Sequence, residues 1–125
     1  MDQLYDKYGQ KGLEIFAFPC NQFGAQEPNP NNEILDAARK KTNCKIQYPF
    51  FEKLEVNGKA CHEVYQFLKN NSSLWNESKG KCEDIKWNFG KFLVDGQGYV
   101  KNYYEPGITP MEIEEDIKKL LKSVQ

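Results

Sequence analysis

The run Leu13-Glu14-Ile15-Phe16-Ala17-Phe18 constrains the fold of this chain more than any other segment. It is nearly all apolar over the length of one strand. A strand without polar alternation suits a sheet covered on both faces, hence a largely parallel sheet. Pro19 ends it, because proline brings no N–H to a ladder. The flanking segments supply helices. Leu4, Tyr5 and Tyr8 share one face at helical spacing, and Gly9 and Gly12 stop that helix. Asn29-Pro30 predicts an N-cap and a first helical residue for a second helix, which buries Ile34, Leu35 and Ala38 and ends near Asn43.

The segment from Pro49 to Val56 reads as extended, and Asn57-Gly58 turns it into a helix with Val64, Phe67 and Leu68 facing inward. The polar stretch from Asn70 to Gly80 is a surface loop carrying Trp75. Strands at Lys91–Val94 and Tyr99–Tyr104 flank the turn Asp95-Gly96-Gln97-Gly98 as a hairpin. Thr109-Pro110-Met111-Glu112 fits a capping box. The last helix carries Ile113, Ile117, Leu120, Leu121 and Val124 on one stripe, with acids in its first turn and lysines in its last. The order is α/β with no internal repeat, and 125 residues make one domain, 1–125. A strand is expected before the first helix, beside Leu13–Phe18, and none is present. The domain is therefore expected to be partial, a fold entered partway through.

Lysine and arginine number 17 against 18 acidic residues, and the charges are interspersed, which argues against nucleic acid or an anionic membrane as the main partner. No apolar run is long enough to span a bilayer, and the start carries no signal segment, so a cytoplasmic protein is the expectation. Cys20, Cys44, Cys61 and Cys82 show no C-x-x-C spacing, and His62 is the single histidine. No metal site is expected, and the thiols are expected to be reduced. Sequons begin at Asn70, Asn71 and Asn76 but carry little weight without a secretory signal.

Two segments carry the chemistry. Phe18-Pro19-Cys20-Asn21-Gln22-Phe23-Gly24 leaves one expected strand, and Lys86-Trp87-Asn88-Phe89-Gly90-Lys91-Phe92-Leu93-Val94 enters another. Gln22, Trp87 and Asn88 are neutral N–H donors suited to holding an anion without competing as nucleophiles. An isolated tryptophan at a strand start is ordinarily core, and an isolated Asn or Gln after a strand is ordinarily turn chemistry. Together, and with Gln26-Glu27-Pro28 and Val56-Asn57-Gly58 in order between them, the segments closely resemble the two downstream signatures of the glutathione peroxidase family. The resemblance covers essentially the whole chain.

It implies a thioredoxin-like fold of the glutathione peroxidase type, here lacking the N-terminal hairpin, the central strand and the start of the first helix. It also implies reduction of hydrogen peroxide or organic and lipid hydroperoxides with glutathione or thioredoxin, in the oxidative stress response and without a cofactor. Gln22, Trp87 and Asn88 would stabilise a thiolate or selenolate, the species that attacks the O–O bond. In register, the nucleophilic cysteine or selenocysteine lies upstream of Met1. Lys41 occupies the place of the resolving cysteine in thioredoxin-dependent members. Cys44, three residues later, is the candidate substitute if the helix end unwinds, with packing as its other reading. The short connection from Leu68 to Ile85 lacks the insertion of tetrameric members, which favours a monomer.

The ordinary readings are that Cys20 is a desolvated thiol at a buried strand end and that Cys61 and Cys82 are bystanders. Lys40, Lys41, Lys86 and Lys91 read as surface lysines. A non-catalytic short isoform acting as a structural or binding module is the alternative function, and the coding sequence upstream of Met1 distinguishes the two. Without a central strand, the isolated chain is expected to be marginally stable.

Overall fold

The structure, a computed structural model, describes residues 1–123. Its backbone forms two compact units. One comprises Met1–Leu54 with the chain from Pro110 onward, and the other Glu55–Thr109.

In the first unit, helix α1 spans Asp2–Tyr8 and tightens into a 3-10 turn at Gly9–Lys11. Gly12 closes it at φ 115°, a left-handed value that favours glycine. Leu4 and Tyr8 are buried, as their spacing predicts. Helix α2, Asn31–Thr42, starts one residue later than the Asn29-Pro30 signal implies. Pro30 is itself the N-cap, extended and accepting the Glu33 N–H at 2.9 Å. The Asn31 side-chain oxygen instead receives the Lys53 N–H at 2.9 Å. Ile34 is buried while Leu35 and Ala38 are half-buried, and the helix ends at Asn43 in the left-handed region.

Leu13–Phe18 departs from expectation. It forms no strand, only a single parallel bridge between Ala17 and Phe50. The Ala17 N–H donates to the Pro49 carbonyl at 3.0 Å, and the Phe51 N–H to the Ala17 carbonyl at 2.8 Å. Pro19 and Pro49 bracket this contact, and neither can donate. Nor are both faces covered: Phe16 is 60% exposed and Phe51 43% exposed, with their rings edge-to-face at 5.3 Å. An apolar run becomes an interior strand only with a neighbour on each side. The described residues supply a ladder on neither, so the largely parallel sheet is replaced by one bridge in this unit and antiparallel ladders in the other.

Helix α4, Glu114–Ser123, follows a 3-10 turn at Pro110–Ile113. Ile113 and Ile117 are buried, Leu120 and Leu121 are half-buried, and Val124 lies outside the described residues. The start of α4 is tied to α1. Lys7 Nζ and the Tyr8 hydroxyl both donate to Glu114 Oε2, at 2.9 and 3.0 Å.

In the second unit, helix α3 spans Glu63–Asn70, capped by His62, whose Nδ1 accepts the Val64 N–H at 3.1 Å. Its inward face is not the expected one. Val64 and Phe67 are exposed and Leu68 half-buried, while Tyr65 and Lys69 are buried. The reason is polar. Lys69 Nζ reaches inward to the Val56 carbonyl at 3.0 Å and to Asn57 Oδ1 at 2.9 Å, which turns the helix by one residue relative to an apolar-only pattern. The loop after α3 contains a two-residue antiparallel ladder, β1 (Trp75–Asn76) against β2 (Lys81–Cys82). The hairpin forms as expected from β3 (Lys91–Val94) and β4 (Val100–Tyr104), with a register shift at Leu93/Val94. Asp95 Oδ1 holds its turn by accepting the N–H groups of Gln97 and Tyr99, both at 2.9 Å. No described helix is long and apolar enough to cross a membrane.

The bonds from Lys7 and then Tyr8 hold the Glu114 carboxyl below its ordinary range. A carboxyl lowered in the folded state stabilises above its unfolded value, and that stability is lost as pH falls through the folded value. We predict that the melting temperature of the wild type drops on acidification below the ordinary carboxylate range. Glu114→Gln should start lower at neutral pH and show a shallower drop; parallel curves would refute the assignment.

Candidate active site

In the first unit, Pro19 and Phe23 are buried and anchor the two ends of a short turn. Within it the Gln22 N–H donates to Cys20 Sγ, and the Cys20 thiol donates to Gln22 Oε1, each at 3.4 Å. Asn21 Oδ1 accepts the Glu27 N–H at 2.8 Å, so the loop closes on its own side chains. Gln22 is exposed. Cys20 is half-buried rather than sealed at the end of a strand, which corrects the desolvated-thiol reading.

In the second unit, Asn57 fixes the approach to Trp87. Its Nδ2 donates to the Ile85 carbonyl at 2.7 Å, and its Oδ1 accepts the Ile85 N–H at 2.9 Å. Ile85 is buried, and the chain then emerges through exposed Lys86 to Trp87. Trp87 is 48% exposed and sits on a turn before β3, so it is not a core residue. Asn88 is half-buried in the same turn. Trp87 and Asn88 are thus neighbours on one turn, and Gln22 belongs to the other unit.

Lys91 corrects another expectation. It is buried, with its ammonium donating to the Phe89 carbonyl and to the Pro106 carbonyl at 3.5 Å. Lys40, Lys41 and Lys86 are exposed, as surface lysines should be.

All four cysteines are free thiols. Burial pushes the Cys61 and Cys82 thiols up, and nearby Lys69 only partly opposes it. Both are therefore weakly nucleophilic at neutral pH. Cys44 is exposed and lies two residues beyond the end of α2. The helix has already ended where the sequence reading required it to unwind. Next to Cys44, the Lys45-Ile46 segment is gripped from both sides. The Asp2 carboxylate accepts the N–H groups of Lys45 and Ile46 at 2.8 and 3.2 Å. Arg39 donates from Nε to the Lys45 carbonyl at 2.9 Å and from Nη2 to that of Ile46 at 3.0 Å. The grip holds Ile46 at φ 45°, which a β-branched residue rarely adopts. Sequence reasoning missed this clamp. Its only local trace is an arginine in the last turn of α2, and Asp2 lies more than forty residues away. Among the described residues no three His, Cys, Asp or Glu side chains gather as a metal site would require.

A model of the family described as "Glutathione peroxidase" matches residues 1–69. The "Probable phospholipid hydroperoxide glutathione peroxidase" of Citrus sinensis is 50% identical over 125 residues, covering 98% of this chain and 70% of that protein. The chain belongs to the glutathione peroxidase family. The "Probable glutathione peroxidase 3, mitochondrial" of Arabidopsis thaliana is 52% identical over 128 residues, with 98% of this chain and 56% of that protein covered. The chain thus spans between about half and 70% of the length of the curated relatives it matches. Among solved structures, T. cruzi GPX1 superposes with a TM-score of 0.69 at 30% identity, over 99% of this chain and 70% of that one. Trgpx in apo form gives 0.70 at 27% identity, over 97% and 67%. The α/β fold is therefore that of glutathione peroxidases, consistent with a thioredoxin-like architecture.

For this glutathione peroxidase chain the clamp beside Cys44 yields a direct prediction. Hydrogen bonds to charged groups contribute about 1.5–3 kcal/mol each. Asp2→Ala or Arg39→Ala should therefore speed amide exchange at Lys45 and Ile46 by about tenfold or more, with little change in α3. Unchanged exchange at both amides would show that the clamp does not hold the loop.

Proposed function

We propose that this chain is the donor-bearing part of a thiol-dependent peroxidase that reduces hydrogen peroxide or organic and lipid hydroperoxides. A thiolate or selenolate attacks one oxygen of the O–O bond and becomes the sulfenic or selenenic acid, while the other oxygen takes up a proton and departs as water or alcohol. Two reducing thiols, from glutathione or thioredoxin, then return the nucleophile and become a disulfide, releasing water. Gln22, Trp87 and Asn88 donate to the anion before attack, lowering its pKa by charge-assisted hydrogen bonds. The exposure of Trp87 on a turn carries this reading, because a core tryptophan could not face a nucleophile. In the thioredoxin-linked route Cys44 serves as the resolving thiol: it condenses with the sulfenic acid to an internal disulfide, releasing water, and the dithiol of thioredoxin then reduces that disulfide and is itself oxidised. Exposed and beyond the helix end, Cys44 needs no unwinding of α2 for this. The role is in oxidative stress, in the cytoplasm, by a monomer. The short Leu68-to-Ile85 connection supports the last point.

The test is turnover. The 125-residue chain alone should show no appreciable peroxidase activity, since none of its cysteines occupies the family's nucleophile position. A chimera carrying the N-terminal segment of the Citrus sinensis relative ahead of Met1 should turn over. In it, Trp87→Phe and Gln22→Ala should each slow the peroxide step by about tenfold, the scale of one charge-assisted hydrogen bond. Robust turnover by the chain alone, abolished by Cys20→Ser, would refute the proposal and make Cys20 the nucleophile. Cys44→Ser should abolish thioredoxin-linked turnover and spare glutathione-linked turnover.

A further inference from the structure

Phe89 is 81% exposed, although it is a large apolar residue in a turn whose backbone is held on both sides. Its φ of 72° lies in the left-handed region, which aromatic residues rarely enter. Its carbonyl receives the ammonium of buried Lys91, which is shared with Pro106. The following residue has no freedom either. A Cβ on Gly90 would stand 2.9 Å from Ile85 Cγ2, so any larger residue here would have to displace the buried Ile85 side chain. The fold therefore commits a buried lysine and a crowded glycine to a strained backbone, and its product is a phenyl ring in solvent one residue after Asn88. Burial of that ring would stabilise the fold and exposure does not, so its placement points to an outside contact.

We propose that Phe89 is a specificity-determining residue that contacts the hydrocarbon part of an organic hydroperoxide while Trp87 and Asn88 serve the reacting end. The inference rests on the peroxidase reading. Hydrogen peroxide has no carbon to offer the ring, so Phe89 favours apolar hydroperoxides over it. The alcohol left after reduction keeps the hydrocarbon part and should bind the same ring without any chemistry.

Binding of that alcohol tests the assignment on the chain itself. Trp75→Phe leaves Trp87 as the single tryptophan of the two, and its emission reports ligand at the turn. The probe is an 18-carbon hydroxy fatty acid below its micelle concentration, with tert-butanol as the small control. The fatty acid should give a saturable blue shift and tert-butanol none. Phe89→Ala should weaken binding by about tenfold, the scale of one phenyl ring removed from water, and Phe89→Leu by much less. Phe89→Gly suits the left-handed backbone and preserves the turn, so it should weaken binding as much as Ala does. Wild-type affinity in the Ala or Gly variant, or no saturable shift in the parent, overturns the proposal. Neither outcome touches the peroxidase reading, which fails only if the chimera turns over no peroxide.

Discussion

The amide of Asn57 stands between a buried charge and a buried peptide. Its oxygen accepts both the Lys69 ammonium and the Ile85 N–H, and its nitrogen donates to the Ile85 carbonyl. One side chain thus gives Ile85 the pair of bonds that a neighbouring strand would give. An ammonium in the interior is costly unless its donors find acceptors, and the Val56 carbonyl supplies another. Loss of Asn57 would therefore unsettle the loop it begins, the inner face of α3 and the peptide two residues before Trp87. The exposed turn of the candidate site depends on a polar contact that lies beneath it.

The parts legible in the sequence were those governed by local rules. Gly12 and Asn43 ended helices where left-handed residues were expected, and the hairpin formed around Asp95 because its carboxylate closes the turn by itself. The parts that were not legible depend on distant partners. Leu13–Phe18 reads as an interior strand because apolarity records that a segment can be covered, not that a neighbour exists to cover it. Lys91 reads as a surface residue because composition assigns charge to solvent, whereas carbonyl oxygens draw its ammonium inward, as they do that of Lys69. At the site, residue types and order offer Gln22, Trp87 and Asn88 as candidates through resemblance. The clamp on Lys45-Ile46 had no sequence signature of comparable strength.

The thiols divide by surroundings. Cys61 donates to the Val56 carbonyl at 3.0 Å and is held protonated by burial even though Lys69 binds the same oxygen. Desolvation outweighs the nearby cation there, so a positive neighbour alone does not make a reactive cysteine. Cys44 has the opposite character, exposed on a loop whose next two peptides are gripped by Asp2 and Arg39. A thiol of that kind is easy to reach while its backbone stays ordered.

The first unit is not continuous in sequence: its opening helix and Glu114 meet across 107 residues for Lys7 and 106 for Tyr8. On a ribosome, those contacts cannot form until synthesis has passed Glu114. The unit Glu55–Thr109 has all its own residues before that point and contains its own hairpin and helix. Synthesis therefore imposes an order of completion: the unit bearing Trp87 can settle during translation, while the bonds that tie α1 to Glu114 form only once α4 emerges.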